Sequence, residues 1–467
     1  MADSELVFRT AAELGTLIRS RKLSPVELTR AFLDRIERLN PRLNAFITVT
    51  GDHALQRARQ VEREVQSGKY RGPLHGIPYA AKDLLATRGI RTTNASKQTE
   101  HWVPDHESTA TDRLNQAGAI LVGKLNLSEW AMSGGAFGLA RNPWHPDYTA
   151  SGSSSGSGVA VAASLAPLTL GSDTGGSILS PSASNGAFGV KQTYGRVSRY
   201  GASTLGWTLD HVGPMTGTVM DAALMLRVIA GRDPRDKTSS MEPVPDYTAV
   251  LGRGIKGLRI GVPANYFFDD LEPDVEKNCR SALNTMKELG AVLSEVRIPH
   301  AEHVPGAGWI IAMAEGSAYH EKRLREHPEL FGPTPREWME TARFYTATDY
   351  IKAMRLRTIV QQELAKIFES CDVLAWPSSR TLPAKIAGPA APSVTPARPR
   401  PVGQNTFIGN LSGFPTMGIP CGFSSQPPKL PVAILFMGKP FDESTLFRTC
   451  HAYESATDWH KQRPPLD

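Results

Sequence analysis

A chain of 467 residues with 40% hydrophobic and 21% charged side chains has the make-up of a globular protein, which excludes a disordered or fibrous polypeptide. A net charge of +6 without a long Lys/Arg run gives no electrostatic footprint for nucleic acid, and no uncharged stretch of about 18 apolar residues is present to span a membrane. The cysteines, Cys279, Cys371, Cys421 and Cys450, form no CxxC pair, which argues against a zinc site or disulfide framework. Such cysteine usage fits a reducing compartment, and the first ten residues carry charges where a secretory signal needs an apolar run. The expectation is a cytoplasmic protein.

In chain order, residues 1–70 read as a helical wrap. Ser24-Pro25-Val26-Glu27 is a helix start, with Ser at the N-cap, Pro at N1 and Glu at N3. Val26, Phe32, Leu33, Ile36 and Leu39 recur at helical spacing, and Pro41 is expected to lie beyond the end. A second, polar helix is predicted over 52–67. Residues 72–230 form a Gly- and Ser-rich centre, with a buried strand at 118–123, a small-residue helix at 159–166 and an apolar helix at 221–230. Strand 258–262, helix 275–289 and strand 291–296 follow one another, an order that argues for α/β. Residues 306–370 read as mostly helical with a break at Pro333–Pro335, and 372–376 and 431–436 as buried strands. The Pro- and Ala-rich stretch 382–401 is read as a loop near the mouth of a site, because too little chain follows it to make an independent domain. The region 306–401 is expected to form the variable, substrate-side part of a single domain spanning 1–467.

The most informative segment is 149–193. Two Gly/Ser clusters, at 152–158 and 171–177, flank small apolar residues. Glycines let main-chain N–H groups approach a reacting atom closely, and serine hydroxyls can attack or relay protons. Taken alone, the first cluster has the composition of a linker, but the apolar run Val159–Ala163 directly after it speaks against one. Gly152-Ser-Ser154-Ser-Gly156 also fits the G-x-S-x-G nucleophile elbow. That elbow needs a preceding strand, and residues 142–148 read as a loop. Asp173-Thr-Gly175 has the aspartic-protease form, yet no second such motif is present to share a proton with it.

Several blocks together are far more specific. Gly171-Ser-Asp-Thr-Gly-Gly-Ser177-Ile, Lys191-Gln-Thr-Tyr-Gly-Arg-Val-Ser-Arg-Tyr-Gly201 and His75-Gly-Ile-Pro-Tyr-Ala-Ala-Lys82-Asp resemble the signature segments of the amidase signature family. Matching blocks at 137–144, 210–215 and 415–422 extend the resemblance over nearly the whole chain. It implies an α/β fold: one large domain with a central mixed β-sheet covered by helices on both faces. It also implies a Ser–Ser–Lys triad, with Lys82 as base, Ser153 as relay and Ser177 as nucleophile. Ser153 lies 24 residues before Ser177, which suits the family's spacing. The main-chain N–H groups of Thr174, Gly175 and Gly176 are the implied oxyanion donors, Asp173 and Ser154 the supporting residues, and the peptide bond at Ser153 is implied to be cis. The chemistry is coherent, since a lysine can serve as base only when burial lowers its proton affinity.

Departures from the family pattern bear on substrate. Leu179 stands where many relatives have Arg, so a carboxylate-binding fork is lost if that position faces the pocket. Met132, Ser133 and Gly134, with Leu179, are the expected substrate contacts; Trp309, Met313, Tyr319 and Trp338 are further candidates for the leaving-group side. The main expectation is therefore a metal- and cofactor-free amidohydrolase for small to medium, mostly apolar carboxamides, with esters, aryl amides and carbamates (urethanase action) as possible co-substrates. Its partners are expected to be the amide alone, with no nucleic acid and no membrane, in a monomer or homodimer. The alternative is the catalytic A-type subunit of a tRNA-dependent glutamine amidotransferase, against which Leu179 and the short spacer from Met132 to Phe137 are the sequence arguments. A non-catalytic binder would not need Lys82, Ser153 and Ser177 together.

Overall fold

The computed structural model describes residues 3–386 and 405–466; the expected loop at 382–401 lies largely outside them. The N-terminal pattern forms the helix Pro25–Leu43, in which the Ser24 hydroxyl accepts from the Val26 and Glu27 N–H groups. This helix runs through Pro41, contrary to expectation. Proline removes one main-chain hydrogen bond, and in a last turn that loss is small. Asn44, left-handed at φ 48°, closes the helix.

Eleven strands among the described residues build one mixed sheet: β1 (Phe46–Val49), β2 (Pro78–Lys82), β3 (Ile120–Leu125), β4 (Leu168–Asp173), β5 (Phe188–Lys191), β6 (His211–Thr216), β7 (Arg259–Pro263), β8 (Val292–Val296), β9 (Val373–Pro377), β10 (Thr416–Phe423) and β11 (Pro431–Gly438). Their spatial order is β1-β3-β2-β4-β6-β5-β10-β11-β9-β7-β8. β3, β2 and β4 run parallel, as do β8, β7 and β9, and the strands between are antiparallel. β2, β3, β4, β9 and β11 are buried at every position, as strands covered on both faces must be. The single α/β domain with a mixed sheet is thus the observed architecture. The sheet ends at β1 on one side and β8 on the other, with Val49 and Val292 45% and 55% exposed.

The first Gly/Ser cluster does not behave as a linker. It opens the buried helix Ser155–Ala162, which starts four residues before the expected helix because the run itself is helical. Its small residues permit close packing: a Cβ on Gly158 would stand 2.7 Å from the Pro181 carbonyl oxygen. This helix lies against β4, β2 and β6. The parallel neighbours β2 and β4 end near one another, β2 at Lys82 and β4 at Asp173, two residues farther along the register. Carboxyl ends of parallel strands are where α/β proteins collect ligand-binding loops. No helix among the described residues is long and apolar enough to cross a membrane.

Candidate active site

Lys82 is the last residue of β2 and is completely buried. Its Nζ lies 2.7 Å from Ser153 Oγ, 2.9 Å from Ser154 Oγ and 2.9 Å from Ser172 Oγ. No carboxylate lies within ion-pair distance of it among the described residues; the negative charges that act on it, Asp173 and Asp210, act from farther away. Burial therefore dominates and lowers its pKa from 10.5 to about 7. A neutral amine keeps one lone pair, and the three hydroxyls are not equivalent towards it. Ser154 Oγ donates to the Ser172 carbonyl at 3.0 Å, so towards Lys82 it can only accept. Neither Ser153 Oγ nor Ser172 Oγ has another partner among the described residues, and of the two Ser153 lines the cavity, where its proton can pass between substrate side and lysine. The Gly152–Ser153 peptide bond is cis.

The loop after β4 is ordered by Asp173. Its carboxylate accepts from the N–H groups of Gly176 at 2.6 Å, Ile178 at 2.6 Å and Leu179 at 3.2 Å. Gly176, at φ 122°, occupies backbone space that a side chain rarely adopts, and a Cβ there would run into Thr406. The Gly176 N–H is thus already committed to Asp173. Among the described residues the N–H groups of Thr174, Gly175 and Ser177 have no acceptor, so the free donors flank Gly176 rather than include it. Ser154 N donates to the Ser177 carbonyl at 3.1 Å, tying the two Gly/Ser clusters together.

Ser177 and Ser153 open onto one cavity of about 320 Å³. Met132, Ser133 and Gly134 line it, with Trp309, Met313, Trp338 and Phe407. None of its described lining residues is charged. Trp309 and Trp338 meet edge to face, their centroids 4.9 Å apart at 80°. The helices Val304–Glu326 and Pro333–Ala342 carry these two rings. A buried amine, a hydroxyl beside it, a second hydroxyl on the cavity wall and unpaired N–H groups form the equipment for acyl transfer. No cluster of metal-ligating side chains occurs among the described residues.

The family profile described as Amidase matches residues 27–447. The chain belongs to the amidase signature family. A curated relative, the A-type chain of the glutamyl-tRNA(Gln) amidotransferase of Moorella thermoacetica, is 39% identical over 99% of both chains. Solved amidase-signature relatives superpose closely. A chain from a structure described as a vestigial protein complex that reveals the evolutionary origins of an s-triazine catabolic enzyme gives a TM-score of 0.90 at 29% identity over 98% of this chain and 100% of its own. A bacterial aryl acylamidase gives 0.88 at 27% identity over 97% of each chain.

One sequence expectation is corrected by these relatives. A lone monomer or homodimer with no nucleic-acid partner does not stand, because the curated relatives are, by name, subunits of an amidotransferase named for a tRNA. The physical reason is that a missing Lys/Arg run speaks only to phosphate contacts made by the chain itself. It is silent on an assembly in which another chain holds the RNA.

The structure also separates residues of this amidase-signature site that the sequence grouped. Leu179 does not face the cavity; it is fully buried, with Gly418 of β10 beside its side chain. Its expected substrate contact therefore fails. Tyr319 lies in a separate cleft with Trp130 and Arg323. The sequence reading missed Ser172, the third hydroxyl on Lys82, although it stands inside the GSDTGGS motif. It also missed Asp210, which accepts from Thr174 Oγ1 at 2.6 Å, and Asn410, whose Nδ2 donates to the Asp173 carbonyl at 2.9 Å. Burial raises the Asp210 pKa to about 6.

Proposed function

We propose that this chain hydrolyses a carboxamide C–N bond through a seryl acyl-enzyme, as the amide-hydrolysing component of an assembly like a tRNA-dependent glutamine amidotransferase. The observation that carries the reaction is the 2.7 Å contact between the buried, carboxylate-free Lys82 amine and Ser153. Neutral Lys82 draws the Ser153 proton as Ser153 takes that of Ser177. Ser177 Oγ attacks the carbonyl carbon, and the free N–H groups of Thr174, Gly175 and Ser177 receive the developing oxyanion. The proton returns through Ser153 to the leaving nitrogen, which departs as amine or ammonia. Water then attacks the ester by the same relay. Ser154 and Ser172 hold the amine in place, and Asp173 holds the donor loop.

The reading as part of an assembly is supported by 39% identity over 99% of a curated A-type amidotransferase chain, and by the position of Leu179, which disarms the main sequence argument against it. The test is glutaminase activity of the purified chain, alone and after co-purification from its host. Glutamine turnover with a stable partner supports the reading; a chain that turns over other amides but never glutamine overturns it. One observation favours a second reading of the substrate. The uncharged, Trp- and Met-walled cavity suits an apolar amide, aryl amide, ester or carbamate. A panel of these read as relative kcat/KM decides between the two.

A further inference from the structure

One wall of the catalytic cavity is held by a buried carboxylate that takes no part in the proton relay. Ala131, Met132, Ser133 and Gly134 line the cavity at the end of the short turn Glu129–Ala131. Trp130 and Ala131 in that turn are left-handed, at φ 49° and 63°. Residues other than glycine rarely adopt this region, and two in succession persist only where neighbours hold them. Ser128 N donates to the Ser153 carbonyl at 3.1 Å, Trp130 N to the Asn94 carbonyl at 3.0 Å and Glu129 N to the Gly134 carbonyl at 3.2 Å. The wall is thus tied to the main chain of the relay serine.

Glu129 ties it to a second wall. Its side chain is buried, with Oε1 accepting from Ser96 Oγ at 2.6 Å and Oε2 from the Gly332 N–H at 2.8 Å. It has no ion pair among the described residues, and burial raises its pKa. Gly332 is the N-cap of the helix Pro333–Ala342, which carries Trp338 into the same cavity. A helix N-terminus favours an acceptor, and Pro333 and Pro335 bring no N–H of their own to this one. The fit is close: a Cβ on Gly332 would stand 2.6 Å from Glu129 Oε2. Beside this contact Trp130 packs with Leu324, Phe331 and Met339, and Met132 lies against that cluster.

We propose that Glu129 is a positioning residue for substrate choice: it clasps the helix Pro333–Ala342 to the turn 128–134 and so sets the span between Met132 and Trp338 that receives an apolar substituent of the amide. This deepens the hydrolase reading above and rests on it. Apolar contact alone is non-directional and lets two surfaces slide. Two hydrogen bonds to one carboxylate fix the turn in register with the helix. A clasp needed for stability alone would be better served by an apolar side chain of the same volume, because burying a carboxylate without a cation costs free energy.

The experiment compares wild type with Glu129→Ala, Glu129→Gln and Gly332→Ala on two pairs that differ by a phenyl group. One pair is phenylacetamide against acetamide as substrates. The other is phenylmethanesulfonyl fluoride against methanesulfonyl fluoride as labels of Ser177, which reads the wall even where neither amide is turned over. In the wild type the aryl member of each pair should react with the higher second-order rate constant. Glu129→Ala is expected to lower the aryl preference about tenfold, through KM rather than kcat. Gly332→Ala, whose methyl group pries the clasp apart from its other side, should do the same without altering the carboxylate. Glu129→Gln keeps an acceptor for Gly332 and should restore most of the preference. Melting temperature checks that each variant is folded, and Gly332→Ala decides if Glu129→Ala is not. An unchanged preference in a folded clasp variant overturns the proposal. So does an equal loss on both members of a pair, which is what a merely structural role gives, and so does a wild type without aryl preference. A wild-type chain with neither amide turnover nor a Ser177 adduct overturns the hydrolase reading itself.

Discussion

Lys82 and Lys124 end up on neighbouring parallel strands, both completely buried, and their surroundings teach what turns a buried lysine into a base. Lys124 Nζ lies 3.2 Å from Asp83 Oδ1, 2.9 Å from the Leu85 carbonyl oxygen and 2.5 Å from Thr92 Oγ1. Burial pushes its pKa down, and the Asp83 charge pulls it back. Lys82 meets three hydroxyls and no carboxylate, so nothing nearby offsets its desolvation. Lys191 is a third case, lowered to about 7 beside the His211 ring and the Gln192 carbonyl, but it is not among the residues lining the catalytic cavity. Depth alone does not make the base. A missing counter-charge lowers the pKa at Lys82 and Lys191 alike, and on the proposed scheme what sets Lys82 apart is the cavity beside Ser153.

The largest effect that tests this contrast is in the nucleophile. Ser177→Ala is expected to lower kcat by at least about 10⁴-fold with the fold intact, and near-wild-type turnover would break the whole scheme. Lys82→Met is expected to cost about 10³-fold or more in kcat while leaving the melting temperature level or raised, because it removes an amine that has no ionic partner. Lys124→Met should do the reverse: a stability loss of about 3–5 kcal/mol from the stranded Asp83 charge, read by urea unfolding, with turnover retained in the folded fraction. A Lys124 variant that stays stable but loses activity would erase the distinction.

The pH profile sharpens it. Catalysis needs the neutral Lys82, so kcat/KM should rise with pH through about 7. The stability effect has a definite sign. A lysine lowered from 10.5 to about 7 binds fewer protons in the fold than in the unfolded chain between those values. Its burial penalty is therefore full below pH about 7 and is relieved as pH rises toward 10.5, so Lys82→Met should gain most at low pH. An acid limb that persists unchanged in a Lys191→Met variant assigns it to Lys82; its disappearance there would reassign it. The smallest effect belongs to the pocket wall. Trp338→Ala should raise KM about tenfold for bulky acyl groups and change it little for acetamide, since it opens the ring pair without touching the relay.

The candidate triad, Lys82, Ser153 and Ser177, could be named from the sequence because each stands in a short, unusual motif that resembles the family's signature segments, and the structure brings Lys82 and Ser153 into contact. The α/β class was legible from a strand–helix–strand order. Direction was not. Position 179 follows the nucleophile by two residues, and only the start of the helix Leu179–Asn185 decides that its side chain turns to β10 rather than to the cavity. Ser172 was hidden for a related reason: β4 is buried throughout, so no alternation of polar and apolar residues marks which face meets Lys82. Asp210 and Asn410 come from distant parts of the chain, and their approach to the site depends on sheet order that no local pattern encodes. The commitment of the Gly176 N–H to Asp173, at 2.6 Å, is a matter of loop geometry and leaves no trace in composition.

The two borders of the sheet bear on how such a chain joins others. At β1 the Ile47 carbonyl already accepts from the Arg91 guanidinium at 3.3 Å. At β8 the sequence Val-Leu-Ser-Glu-Val places Glu295 in solvent on the outermost strand. A foreign strand annealing at either border would have to displace a cation or settle beside an acid. Growth by edge-to-edge polymerisation is thereby discouraged, and association is left to the helical flanks, where recognition depends on side-chain shape.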